Sequence, residues 1–172
     1  VATGKEIARM NQDGPVSLIA FSPDGKYVVS GSDDSTARVW ESSTGKEIAH
    51  MTHDGIVDSV AFSPDGKYVV SGGGASASVW EAATGKEIAR MIQDGSVTSV
   101  AFSPDGKYVV SRSNDSIIRV WEATTGKEIV RLIHDGFVSS IAFSPDGKYV
   151  VSGSSGLFGV TAYVWEVATG KE

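Results

Sequence analysis

The 172-residue chain contains no cysteine. It therefore has no disulfide framework and no thiolate to serve as nucleophile or metal ligand, and its composition leaves the redox compartment open. Positive charge is also in deficit. Fifteen Lys plus Arg stand against twenty-one Asp plus Glu, a formal charge of -6, and the basic residues are spread over every repeat without clustering. That argues against a nucleic-acid partner, because binding to a phosphate backbone needs a concentrated basic surface. No apolar run approaches the roughly 18 residues of a membrane span, and no charged n-region with an apolar stretch behind it opens the chain. The expectation is a soluble, cytoplasmic protein with no membrane partner. Histidine is limited to three residues. Zinc sites usually need three or four converging His, Cys or carboxylate ligands, so His53 and His134 do not make one, and no metal or cofactor is expected.

Repetition is what the sequence has instead. Ser-Pro-Asp-Gly-Lys-Tyr-Val-Val-Ser occurs four times, beginning at Ser22, Ser63, Ser103 and Ser144, with spacings of 41, 40 and 41 residues. Val-Trp-Glu closes each unit at Trp40, Trp80, Trp121 and Trp165, and Thr-Gly-Lys-Glu follows every one, with a fifth copy at Thr3 to Glu6. A period near 40 suits propeller blades or helical pairs. Each period holds four short stretches rich in Val, Ile, Ala, Phe and Tyr, without helical spacing. In the second unit these are Val57 to Phe62, Tyr68 to Ser71, Ala75 to Trp80 and Glu87 to Met91. Between the first two, Pro64 fixes φ, Asp65 bonds its own backbone and Gly66 takes the positive φ of a tight hairpin.

From the repeat length to the Ala-Phe-Ser-Pro-Asp-Gly segment and the tryptophan ending the third strand, the whole chain resembles the WD-repeat β-propeller family. The resemblance implies an all-β fold of four-stranded antiparallel blades, four per chain, spanning approximately 11–51, 52–91, 92–132 and 133–172. Such near-identity between units points to recent duplication or deliberate engineering. The family's Trp-Asp is Trp-Glu here in every copy, at Glu41, Glu81, Glu122 and Glu166. Resembling blades often link a His, a Ser or Thr, a turn Asp and the Trp by hydrogen bonds. Here the His position holds Gln12, His53, Gln93 and His134, and the turn Asp is present only as Asp34 and Asp115, so His and Asp never share a blade. The four tryptophans are read as blade packing and the Gln, His and Asp residues as a structural polar set.

His53, Asp54 and Ser59 carry the residue types of a nucleophilic triad. The Asp-Gly pair recurs in every unit, however, and one active site does not need four copies, so the chain is read as no enzyme. Gly72-Gly73-Gly74 lacks the following helix that a phosphate-cradling loop requires and reads as a shortened hairpin.

Four blades would have to turn by about 90° each to close, against about 45° in an eight-bladed ring. An open half-ring would leave on the order of 400 Å² of apolar area at each end, roughly 10 kcal/mol before association costs. A two-fold homodimer would cover both ends. The leading strand, 3–10, with Thr3, Ile7 and Met10, would then complete the last blade of a partner chain. Val1 to Glu6 and Val167 to Glu172 are the same six residues, and the N-terminal copy is expected to pair because only it continues into Ile7-Ala8-Arg9-Met10. The main functional expectation is a self-assembling, non-catalytic scaffold that mediates protein-protein interaction. Its protein partner would be engaged by residues that vary within the copied frame: Pro15, Ile56, Ser96 and Phe137 before the inner strands, and Asp33, Asn114, Leu157 and Phe158 in later turns. The alternatives are a sensor region cut from a longer bacterial repeat array and an engineered model of propeller assembly with no natural ligand.

Overall fold

The computed structural model describes residues 4–134, 136–156 and 159–172. The first blade is built from β1 (Val16–Phe21), β2 (Tyr27–Ser32), β3 (Thr36–Glu41) and β4 (Glu47–Thr52). The second comprises β5 (Val57–Phe62), β6 (Tyr68–Gly73), β7 (Ser76–Glu81) and β8 (Glu87–Ile92), and the third β9 (Val97–Phe102), β10 (Tyr108–Ser113), β11 (Ile117–Glu122) and β12 (Glu128–Ile133). The fourth holds β13 (Gly136–Phe143), β14 (Tyr149–Gly156) and β15 (Gly159–Glu166). Every sheet is an antiparallel meander, four-stranded in the first three blades and three-stranded in the fourth. No helix of the described residues is long and apolar enough to cross a membrane.

The copied turns dictate this architecture. Between β1 and β2, the Ser22 hydroxyl donates to Asp24 at 2.7 Å, Asp24 accepts from the Lys26 amide at 3.1 Å, and Gly25 takes φ of 72°. The same bonds recur at Ser63, Ser103 and Ser144. At the next hairpin the residue after each tryptophan has a use of its own. The Glu41 carboxylate accepts from Thr44 Oγ1 at 2.5 Å while its carbonyl accepts from the Gly45 amide at 2.8 Å, so glutamate serves the turn in place of aspartate. The second blade's β6–β7 hairpin is indeed shortened: Gly73 pairs with Ser76 across Gly74-Ala75, and Gly74 supplies the positive φ of 53°.

Hydrophobic residues bury between the blades. One core joins Val29, Val39 and Met51 of the first blade to Val57, Val69 and Trp80 of the second. A second joins Val70, Val79 and Met91 to Val97, Val109 and Trp121. The third joins Val110, Ile118 and Leu132 to Val138, Val150 and Trp165. Each of these tryptophans thus packs backwards onto the preceding blade. β1 lies against β5, β5 against β9 and β9 against β13, so these first strands line a common inner edge.

Candidate functional site

Three places in this frame gather chemistry: the polar set behind each tryptophan, the loops at the start of the inner strands, and the two outward faces of the end blades. Behind the tryptophans, the four blades alternate in kind. In the first, Trp40 Nε1 donates to Ser30 Oγ at 2.7 Å, Ser30 donates to Gln12 Oε1 at 2.6 Å, and Gln12 Nε2 donates to Thr36 Oγ1 at 3.0 Å. Thr36 in turn donates to Asp34 at 2.6 Å. In the second, Trp80 donates to Ser71 at 2.6 Å, and Ser71 Oγ lies 2.6 Å from His53 Nε2. A serine hydroxyl has one proton and two acceptor lone pairs, so beside the Trp80 bond it either donates to an unprotonated His53 Nε2 or accepts from Nε2–H, according to the imidazole tautomer. Burial, with a smaller contribution from the Arg90 charge, pushes the His53 pKa down to about 4. His134, Ser152 and Trp165 repeat this geometry in the fourth blade at 3.2 and 2.9 Å.

Sequence reasoning missed the arginines of this set. Arg38 is buried on β3 with Asp13, Asp34 and Glu47 around it at 2.5, 3.4 and 3.4 Å. Arg119 is buried on β11 with Asp115 at 2.8 Å, Asp94 at 3.5 Å and Glu128 at 3.6 Å. The other two blades carry Ser78 and Tyr163 at this position, and neither has the turn Asp. Asp34 and Asp115 are therefore the counter-charges of buried arginines. Burial opposes their ionisation, but neighbouring hydroxyl and amide donors and the guanidinium hold both below the usual carboxylate range. The legible signal was that Gln, Asp and Arg come and go together.

The loops before the inner strands meet the β2–β3-type turns at one end of the blades. The Asp33 amide donates to the Pro15 carbonyl at 3.1 Å, and Asn114 and Ser96 exchange amide bonds at 3.0 and 2.9 Å. Ile56 and Phe137 are exposed at the same end. Six of the eight variable residues thus share one rim; Leu157 and Phe158 lie outside the described residues. Asp58, beside this rim, has its pKa raised by burial and by the charge of Asp33. No group of three or more metal-ligating side chains occurs among the described residues.

The end faces are defined by contrast with the interior copies. Val164 is 56% exposed, whereas its counterparts Val39, Val79 and Val120 are 1%, 2% and 0% exposed. On the opposite end Val16 is 47% exposed, against 0–2% for Val57, Val97 and Val138. Ile19 and Phe21 accompany Val16, and Tyr149 and Val151 accompany Val164. Residues 4–10 form no strand, and Ile7 is exposed while Met10 is half-buried. Thr3 lies outside the described residues. The segment nonetheless rests where an outer strand would. The Arg9 carbonyl stands 2.5 Å from a Cβ built on Gly45, as the His50 and Arg90 carbonyls stand 2.8 Å from Cβ atoms built on Gly85 and Gly126. At the other terminus Gly170 donates to the Glu166 carbonyl at 2.7 Å. It is thus the C-terminal Val-Ala-Thr-Gly-Lys-Glu copy that takes up the turn, whereas Gly4 to Glu6 of the N-terminal copy pair with no strand.

The family profile described as "WD domain, G-beta repeat" matches residues 4–41, 45–81, 85–122 and 126–157. In its last three copies the frame opens on an outer strand, β4, β8 or β12, one strand ahead of the blade boundary. The Periodic tryptophan protein 2 homolog of Neurospora crassa is 51% identical over 41 residues, a match covering 23% of this chain and 5% of that protein. Among solved structures, the computationally designed Ika4 protein matches with a TM-score of 0.80 and 31% identity over 95% of this chain and 99% of its own. The computationally designed Ika8 protein matches with a TM-score of 0.83 and 30% identity over 96% of this chain and 50% of its own.

Proposed function

The chain belongs to the WD domain, G-beta repeat family, and from that premise we propose that it is a non-catalytic β-propeller scaffold whose working form is a two-fold homodimer closing an eight-bladed ring. The observation that carries this reading is the exposure of Val16 and Val164 at positions buried in every interior copy. Each end face is the counterpart of the face it would meet, so a second copy offers at each junction the packing already made three times within the chain. The match to half of the Ika8 chain supports the same arithmetic. In this assembly Ile7 to Met10 of one copy complete the fourth blade of the other, with Met10 opposite Ala162 as Met51 is opposite Ala37 in the first blade. The C-terminal copy of the repeated hexapeptide keeps its turn, and the N-terminal copy yields. Pro15, Asp33, Ile56, Ser96, Asn114 and Phe137 then offer a rim for a protein partner.

Absolute molar mass by light scattering across a dilution series tests the reading. A mass near twice the 18.0 kDa chain is expected. A stable mass of 18.0 kDa at every concentration would overturn it. A second reading, an engineered unit for propeller assembly with no natural ligand, is favoured by the end-to-end match with the designed Ika4 protein. The single-repeat match to the Neurospora protein favours a third, a segment of a longer array.

A further inference from the structure

Arg112, on β10, departs from the copied frame. The other three blades have glycine there: Gly31, Gly72 and Gly153. At two of these the reason is steric, since a Cβ on Gly31 would meet Val57 Cγ1 at 2.8 Å and one on Gly72 would meet Val97 Cγ1 at 2.6 Å. On β10 the arginine instead reaches the start of the next inner strand. Its Nη1 donates to the Val138 carbonyl, and the guanidinium carbon lies 5.4 Å from the centre of the exposed Phe137 ring.

What the arginine lacks is an acid. Arg9, Arg38, Arg90, Arg119 and Arg131 each have a carboxylate partner, at Glu6, Asp13, Asp54, Asp115 and Glu128. Arg112 has none among the described residues, its Nε is buried without an acceptor, and burial pushes its pKa down with no neighbouring charge to restore it. A half-buried cation without a counter-ion is costly. In a chain of net charge -6 it is also unexpected.

We propose that Arg112 and Phe137 form a binding site for a peptide carboxylate, at the rim between the third and fourth blades. The Val138 carbonyl holds Nη1 and so fixes the guanidinium plane. Because Nε is enclosed, Nη2 is the donor an incoming oxygen meets first, in a charge-assisted bond. The Phe137 ring offers an apolar floor to the carbon chain bearing the carboxylate. One cation among many acids suits a single negative charge better than a phosphate dianion. The site is complete within one chain and does not depend on ring closure.

The test is an NMR titration of the full chain with three capped peptides at matched ionic strength: Gly-Glu-Gly amidated, Gly-Gln-Gly amidated, and Gly-Gly-Leu with a free C-terminus. The expected result is a saturable shift of the Arg112 Nε–Hε and Val138 amide signals with a carboxylate peptide, and none with the glutamine peptide. The glutamate and free-terminus arms distinguish a side-chain from a terminal carboxylate. Arg112→Gly restores the residue of the other three blades and so keeps the fold; in it the Val138 response should weaken at least tenfold. An equal response to the glutamine peptide, no saturable response to either carboxylate, or an undiminished response in Arg112→Gly would each overturn the proposal.

Discussion

Trp40, Trp80, Trp121 and Trp165 all donate to a serine, but what lies beyond that serine differs from blade to blade and gives each polar set its own energetics. In the third blade Gln93 Nε2 is buried without an acceptor. The cause is one substitution: Ile117 stands where Thr36 accepts from Gln12 in the first blade. Ile117→Thr should therefore raise the denaturant midpoint, with a gain of about 1 kcal/mol from satisfying the amide. Loss of stability in that variant would mean that the methyl packing of Ile117 outweighs the bond. His53 makes a second expectation, for acid. Its folded pKa of about 4 lies below the ordinary histidine value of 6.5. As pH falls from 6.5 toward 4 the unfolded chain takes up a proton that the folded chain refuses, so stability present above this window is lost within it, by about 3 kcal/mol. His53→Gln, which copies Gln12 and Gln93, should flatten that part of the pH–stability curve; an unchanged curve would place the acid sensitivity elsewhere. The tryptophans and the alternating Gln and His were legible from the repeat. The buried arginines were not, because Arg38 and Arg119 are ordinarily surface residues and only their carboxylates, scattered over three loops and strands, make burial tolerable.

At the scale of the element, turn chemistry carried most of the information. The second blade's first strand is Val57–Phe62 as its apolar-rich stretch indicates, and its last runs one residue further than expected, to Ile92. The leading segment is different. Its sequence copies an outer strand, yet residues 4–10 form none, because strand pairing requires a neighbour and β15 belongs to the far end of the arc. Hydrophobic pattern identifies what a segment pairs like, not whether a partner is beside it. Close packing of adjacent blades also rests on the second strand's glycines. At Gly72 a Cβ would meet Val97 Cγ1 at 2.6 Å and Val100 Cγ1 at 2.9 Å, both on the inner strand of the next blade. Gly72→Ala should cost about 1–3 kcal/mol by overpacking that junction. In a chain held monomeric, Gly153→Ala, where the nearest atom is the Ser140 hydroxyl at 3.0 Å, should cost less. Equal costs in equilibrium denaturation would show that the glycines are kept for strand conformation and not for the approach of the blades.

The scale of the whole molecule is set by the two uncovered faces, and here stability and assembly should be one measurement. If a second copy covers both faces, the folded state is linked to protomer concentration, and each tenfold dilution should lower stability by about 1.4 kcal/mol per mole of dimer. Val164→Lys separates the two contributions. In the isolated chain Val164 is 56% exposed, so lysine leaves the protomer's own packing intact. At a closed junction the same position would be as buried as Val120 and would enclose an unpaired ammonium. The variant should therefore sediment as an 18.0 kDa species that unfolds cooperatively at a temperature independent of concentration. The unsubstituted chain should show a melting temperature that rises with concentration and approaches that of the variant on dilution. Concentration-independent melting of both proteins at the same temperature would mean that Val164 faces solvent in the working molecule. The exposed end faces would then belong to a scaffold that acts as an open arc.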